Sequence, residues 1–301
     1  MRVGYSGDVI FPPPLRAGDR IAVVAPSGSF EQAAVEGGIA WLERRYRVSH
    51  RASLFDKDAY LAGSDRRRAG ELQRALDADG VRAVVAARGG YGLSRIAHLL
   101  DFEKVVARPR WLVGFSDFTV LHVEAWRRGL GTIHGSMVGA LATLDEAARA
   151  QWIETLEQPD KPATWRGLTT WRKGRARGTL VGGNLAMLHA CAAAGRLMIP
   201  RNAVVLLEDI GERPYRVDRM LTNLITAGHL VRASAVLVGQ FIECGPGPDQ
   251  RTVEQVLKER LLRLGVPVLA EVPIGHGGRN DAIVLGRRAD VDAGRGTFTL
   301  S

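Results

Sequence analysis

The chain has 301 residues, 46% of them apolar and 24% charged, an ordinary globular composition at a length that exceeds one compact core and predicts two domains. Its formal net charge is +9, but the 41 basic residues include only five lysines, and the 36 arginines fall in short clusters (44–45, 66–68, 172–177, 287–288). With no long basic tract and no aromatic-rich RNA motif, nucleic acid is not the expected partner; no apolar run approaches the roughly 20 residues that span a bilayer, and the first twenty residues lack the apolar core of a secretory signal, so no membrane association and a cytoplasmic location are expected.

Residues 1–14, closing on Pro12-Pro13-Pro14, read as an extended arm. A first domain is expected over 15–150. DRIAVVAPSG reads as strand and turn, EQAAVEGGIAWLERRY as a helix, and LAGSDRRRAGELQRALDADG as a second helix capped by Ser64 or Asp65. VRAVVAARGGYG is a strand running into a glycine loop, LSRIAHLL a short helix, RPRWLVGFSD a strand and turn, and FTVLHVEAWRRG a helix. Strands alternating with helices predict an α/β fold with a parallel sheet. EAARAQWIETLEQ has helical periodicity, whereas DKPATWRGLTTWRKGRARG has little, and residues 151–178 are expected to link the domains. The second domain, 179–301, opens with an LVGGN turn and an apolar helix. A strand AVVLL then leads to Glu208, followed by the helix YRVDRMLTNLITAG, the strand SAVLVGQF, the helix TVEQVLKERLLRLG and a strand into His276. The tail DAIVLGRRADVDAGRGTFTL alternates like a hairpin turning at Gly294-Arg295-Gly296.

Ser116, Glu208 and His276 each follow one of these apolar runs. Side chains at the carboxyl ends of sheet strands can converge in one crevice, and a hydroxyl, a carboxylate and an imidazole meeting there would make an acyl-transfer enzyme. Gly114-Phe115-Ser116-Asp117 between strand and helix has the shape of a nucleophile elbow, although Phe118 stands where GxSxG has its last glycine; the competing reading is that Ser116 simply caps the helix. The Asp117 N–H could donate to an oxyanion, and a second donor could come from the loop Arg88-Gly89-Gly90-Tyr91-Gly92, otherwise a plain turn. Glu208 could hold an imidazole by its Nδ1–H, and the glycines around His276 leave it accessible as a general base. His134 and Ser136 are the strongest rivals to the histidine and the serine. Two cysteines, without CxxC or HExxH, make neither a disulfide framework nor a zinc site; Cys191 reads as core and Cys244 as more exposed, and no metal or other cofactor is expected.

The motifs PLRAGDRIAVVAPSG, ARGGYG, GFSDFTVLH, IHGSM, VGGNLAML, LLEDIGERPYRVDRML and PIGHGGRNDAIVLG, in this order, resemble the LD-carboxypeptidase family. These are serine peptidases that trim murein tetrapeptides, and they include the microcin C self-immunity peptidases. The resemblance implies a Rossmann- or flavodoxin-like N-terminal domain, a smaller swivelling α/β C-terminal domain, and a homodimer. It places the nucleophile on Ser116, the triad carboxylate on Glu208, the base on His276 and the oxyanion amides on Gly90 and Asp117. The implied reaction releases a terminal D-alanine from a murein tetrapeptide by cleaving an L,D-amide bond. A carboxypeptidase must also hold a free carboxylate, for which Arg88 beside the glycine loop is the candidate, its competing reading being a structural surface arginine; Tyr91 and Trp171 are the candidates for an aromatic that would stack on a nucleobase in a substrate of the microcin type. The chain departs from the family pattern at Ser136, where proline is usual, after VGGNLAML, where Ala-Ala-Ala-Gly-Arg replaces a Gly-Thr form, and at Val284, where proline is usual. Two alternatives remain: cleavage of an aminoacyl-nucleotide conjugate of the microcin type, and a non-catalytic nucleotide- or sugar-binding module using the glycine loops at 88–92 and 182–183.

Overall fold

The computed structural model describes residues 9–301, which divide into two units. The first comprises the described residues up to Pro159 together with Asp281–Val284, the second Asp160–Asn280 and Leu285–Ser301. The expected arm lies outside the described residues up to position 8. Its remainder is tied down: the Ile10 N–H donates to the Gly129 carbonyl at 2.7 Å and Trp111 Nε1 to the Pro13 carbonyl at 3.1 Å.

The first unit is built on a six-stranded sheet in the order Ile283–Leu285, Thr132–His134, Trp111–Gly114, Val81–Ala86, Arg20–Val24, Arg47–Ser49. The last five strands pair in parallel. The central two, Val81–Ala86 and Trp111–Gly114, are apolar on both faces, as expected of parallel strands covered on both sides, and Val84, Val85, Trp111 and Val113 are wholly buried. Arg20–Val24 lies between the strand that follows it in sequence and the later Val81–Ala86, so the winding reverses there. The loops leaving the carboxyl ends of these two strands bound the crevice where α/β sheets bind ligands.

The second unit has an eight-stranded sheet in the order Ala163–Trp165, Thr297–Leu300, Arg288–Asp292, Arg175–Asn184, Ala203–Ile210, Ala233–Ile242, Val268–Ala270, Thr169–Arg172. Its central four strands are parallel, and the flanking pairs are antiparallel. Three helices accompany it, Leu185–Ala193, Pro214–Thr226 and Val253–Leu261; Thr252 and Gln255 form a complete capping box on the last.

Three expectations are corrected. Residues 151–178 are not a free linker: the helix Glu146–Glu157 belongs to the first unit, and the strands Ala163–Trp165 and Thr169–Arg172 belong to the second sheet. VGGN is not a turn but the end of strand Arg175–Asn184, where a side chain on Gly182 would strike the neighbouring Leu206 carbonyl. The tail is divided: Arg288–Asp292 and Thr297–Leu300 do form a hairpin, but Ile283–Leu285 edges the first sheet, where the Ala282 N–H and carbonyl meet the Gln151 side chain at 2.8 and 2.7 Å. Among the described residues no helix is long and apolar enough to cross a membrane.

Candidate active site

In the first unit the site is built around Ser116. Strand Trp111–Gly114 ends at a turn in which Ser116 adopts φ +62°. This left-handed conformation costs an L-residue roughly 1–2 kcal/mol and is found where a backbone is held for a purpose. It is the geometry of a nucleophile elbow, a strained turn that lifts a hydroxyl clear of the sheet. The residue at the N-cap of the helix Thr119–Trp126 that follows is Phe118, not Ser116. The turn is packed from behind: a methyl group on Gly114 would lie 2.6 Å from Phe118 Cγ. His122 Nε2–H donates to the Gly114 carbonyl at 2.9 Å. Burial, reinforced by nearby His134, pushes the His122 pKa down to about 3, so this ring is a neutral donor.

The glycine loop abuts the serine. A methyl group on Gly89 would come within 3.0 Å of Ser116 Cβ and 3.1 Å of Oγ, so only a bare backbone leaves the hydroxyl its place. The Gly89 carbonyl accepts the Gly28 N–H at 2.9 Å, joining the two loops of the winding reversal. Gly90, exposed, sits at φ +97°. Arg88 is exposed and donates through Nη1 to the Ser29 carbonyl. Tyr91 is 44% exposed.

Two side chains to which the sequence assigns no role, those of Asp117 and Arg68, hold this arrangement. The Asp117 carboxylate, buried, accepts the Leu93 N–H at 2.8 Å and so fastens the serine turn to the exit of the glycine loop. Burial raises its pKa, against the opposing influence of Ser27, the Leu93 amide and the charge of Arg68. Arg68, fully buried, donates to the carbonyls of Pro26, Gly63 and Gly92 and pairs with Asp65. Its place in the Arg66–Arg68 cluster reads as surface charge, and the sequence carries no signal of its burial. Of the rivals, His134 is buried in strand Thr132–His134, and Ser136 is buried with its carbonyl accepting Trp152 Nε1 at 3.0 Å.

In the second unit, Glu208 and His276, 68 residues apart, meet. Glu208 lies on the central strand Ala203–Ile210 with its side chain wholly buried, and its Oε2 stands 2.7 Å from His276 Nδ1. A carboxylate only accepts, so Nδ1 carries the proton and Nε2 is the basic nitrogen of the neutral ring. The histidine loop is fastened at three points: Gly275 N–H donates to Asn280 Oδ1 at 3.0 Å, Gly277 N–H to Gln240 Oε1 at 2.6 Å, and Gln240 Nε2 to the Arg279 carbonyl at 3.0 Å. Gln240, on strand Ala233–Ile242, has no sequence signal; Asn280 stands inside the PIGHGGRN motif. Trp171 has the Lys258 ammonium 5.2 Å from its ring centre. Cys244 is buried rather than exposed, and burial pushes its thiol up to about 11.

Beside Glu208, Asp209 caps the helix Leu185–Ala193. It accepts from Ala186 N–H and Asn184 Nδ2, both at 2.9 Å, and from its neighbour Ile210 N–H at 2.8 Å. Burial nevertheless raises its pKa from 3.8 to about 6, with the Glu208 charge adding to the rise. The folded state therefore holds a proton that the unfolded chain has released, so stability falls as pH climbs from about 4 to 6. The rise corresponds to about 3 kcal/mol. Asp209→Asn is expected to gain that much on the wild type between pH 4 and 7 in urea unfolding; a difference independent of pH would refute the assignment.

Comparison with known proteins places these halves in a family. The LD-carboxypeptidase N-terminal domain matches residues 21–135, and the LD-carboxypeptidase C-terminal domain matches 177–291. A Streptomyces coelicolor protein named as a carboxypeptidase is 37% identical, with 97% of this chain and 96% of the relative covered. The murein tetrapeptide carboxypeptidase of Pseudomonas aeruginosa is 30% identical over 92% of this chain and 94% of its own. Among solved structures, the muramoyltetrapeptide carboxypeptidase from Oxalobacter formigenes superposes with a TM-score of 0.83 at 29% identity, covering 93% and 97% of the two chains. The microcin C7 self immunity protein MccF, in complex with aspartyl sulfamoyl adenosine, shares the fold with a TM-score of 0.85 at 18% identity, covering 97% and 98%. With both halves matched and relatives of 30% and 37% identity aligned over nearly their whole length, the chain belongs to the LD-carboxypeptidase family and is a peptidase.

Proposed function

We propose that this peptidase is a serine carboxypeptidase that releases terminal D-alanine from murein tetrapeptide by cleaving an L,D-amide bond. His276 Nε2 takes the proton from Ser116 Oγ, which attacks the amide carbonyl. Glu208 fixes the tautomer of His276 and stabilises the imidazolium that forms. The Gly90 and Asp117 N–H groups receive the oxyanion, each contributing about 3–4 kcal/mol as in a well-studied protease. His276 then protonates the leaving amine, and water resolves the acyl-enzyme. The sequence of steps uses no metal. Arg88 offers paired N–H donors to the free carboxylate of the substrate, and Tyr91 an apolar surface beside it. The compartment proposed is the cytoplasm and the assembly a homodimer, both carried over from the family resemblance.

The observation that carries this reading is the 2.7 Å contact between Glu208 Oε2 and His276 Nδ1. It gives one imidazole the orientation and the tautomer of a general base. A nucleotide- or sugar-binding module without catalysis would leave that pair, and the left-handed Ser116, without a use. Mass spectrometry after incubation with murein tetrapeptide and, separately, with an aminoacyl sulfamoyl adenosine tests the substrate. Loss of one alanine from the tetrapeptide is expected. Cleavage of the nucleoside conjugate alone would replace this reading with the microcin-type activity.

A further inference from the structure

Helix Asp65–Asp77 packs on strand Arg20–Val24, and the two do not close on each other. Glu71, Arg74, Ala75 and Ala78 recur at the spacing of one helical face, and that face looks onto Ala22, Val24 and, from the neighbouring strand, Val81. With alanine on both sides the surfaces stay apart, and a pocket of about 260 Å³ lies between them, open to solvent. Contacts between a helix and a sheet are ordinarily filled to near-crystalline density, so a gap kept here is a place for an occupant.

The pocket is uneven in chemistry. Its floor is hydrocarbon, from Ala22, Val24, Ala75 and Val81, and its rim carries the exposed guanidiniums of Arg20, Arg51 and Arg74. Among the described residues none of these three has a carboxylate within ion-pair distance, whereas Arg67 and Arg68 on the same helix, and Arg95 and Arg108 nearby in sequence, are all paired. The acid on the wall, Glu71, is 6% exposed and does not answer the rim. Its Oε1 accepts Ser53 Oγ–H at 2.5 Å and its Oε2 lies 3.2 Å from Arg67 Nη2. The stems of the rim arginines are set apart. Arg20 opens its strand, while Ser49 pairs with Ala22, so Arg51, two residues on, lies toward the Val24 end. About 13 Å of strand separates Arg20 from Val24.

We propose that this pocket binds a small aliphatic dicarboxylate as an effector of the enzyme. Its hydrocarbon chain rests on the alanine and valine floor, and its two carboxylates take paired N–H donors from separate arginines. A compact anion such as phosphate would use the guanidiniums and leave the floor uncovered. Occupancy is felt at the serine turn through the helix. Arg67, the partner of Glu71, also donates to the carbonyls of Ala25, Ala62 and Ser53. Ala25 lies three residues before Gly28, whose N–H is bound to the Gly89 carbonyl, and Gly89 lies against Ser116. A ligand that draws helix and strand together therefore loads the loop on which the nucleophile turn rests.

Calorimetric titration of the full-length protein with glutarate tests the site. Binding is expected in the wild type, about tenfold weaker in Arg20→Gln and in Arg74→Gln, and absent in Ala75→Leu, whose side chain fills the gap. The arginine variants alter exposed residues, so their urea midpoints are expected to match the wild type and keep the test clear of folding. No binding by the wild type, or equal binding by the wild type and all three variants, would overturn the site. Phosphate or sulfate bound as tightly as glutarate would overturn the dicarboxylate assignment, because the floor would then contribute nothing. The second arm, which rests on the peptidase reading above, compares kcat/KM on murein tetrapeptide with and without saturating glutarate. A change of about threefold or more in the wild type, lost in Arg74→Gln, is expected; an unchanged value would overturn the coupling. If the wild type cleaves no peptide, the peptidase reading fails, and the titration still decides the pocket.

Discussion

Ser116→Ala is expected to lower kcat on murein tetrapeptide by about 10⁶-fold, the loss seen when the nucleophile of a serine protease is removed. The argument is geometric. Ser116 is held at φ +62°, against Gly89, at the carboxyl end of a central strand. Alanine carries the same backbone strain as serine there, so the fold is expected to survive, with the unfolding free energy measured in urea changed by no more than about 0.5 kcal/mol. Ser116→Gly, which tolerates the left-handed conformation, is expected to be equally inactive yet more stable by about 1 kcal/mol. Inactivity accompanied by greater stability would be the signature of strain kept for function. D-alanine release by Ser116→Ala within tenfold of the wild type would reject the serine.

Glu208→Gln is expected to cost about 10⁴-fold in kcat, the loss measured when a triad carboxylate in another serine protease becomes an amide. The substitution preserves shape in a site where the carboxylate is fully buried. An amide presents either an oxygen, which keeps the tautomer but lacks the charge, or an NH₂, which reverses the hydrogen bond to Nδ1. Either way an imidazolium at His276, as the proposed mechanism requires, loses its counter-charge. KM is expected to stay within a few-fold, since the Glu208 carboxylate is fully buried and contacts the histidine. A variant with kcat within tenfold of wild type would remove Glu208 from the mechanism.

The central strands were legible because parallel strands covered on both faces read as unbroken apolar runs, and VRAVVA, RWLVG and AVVLL do. The residues proposed for the chemistry sit at the ends of such runs, which is why Ser116, Glu208 and His276 stood out. The missed strands were Arg47–Ser49, Ala163–Trp165, Thr169–Arg172 and most of Arg175–Asn184. The first three lie at or near sheet edges, and all are short or half-exposed, so their polar composition resembles loop. Arg68 was unreadable for a different reason. Its burial is balanced by carbonyls from Pro26, Gly63 and Gly92, three loops that only the fold assembles. The side chain of Asp117 and the amide of Gln240 likewise act on backbone groups 24 and 37 residues away. Local pattern carries no record of such partners.

The return of Asp281–Val284 to the first unit has a consequence for anyone dissecting the molecule. The polypeptide passes from one unit to the other three times, so no single cut in the gene yields either piece whole. A fragment ending at Pro159 would lose an outer strand of its sheet and leave the Gln151 amide without the Ala282 backbone it grips. Its counterpart would begin with a sheet intact but carry a stretch of foreign strand with nowhere to pair. Independent inheritance of the two halves is therefore barred by connectivity, and the serine turn and the Glu208–His276 pair travel as one heritable block.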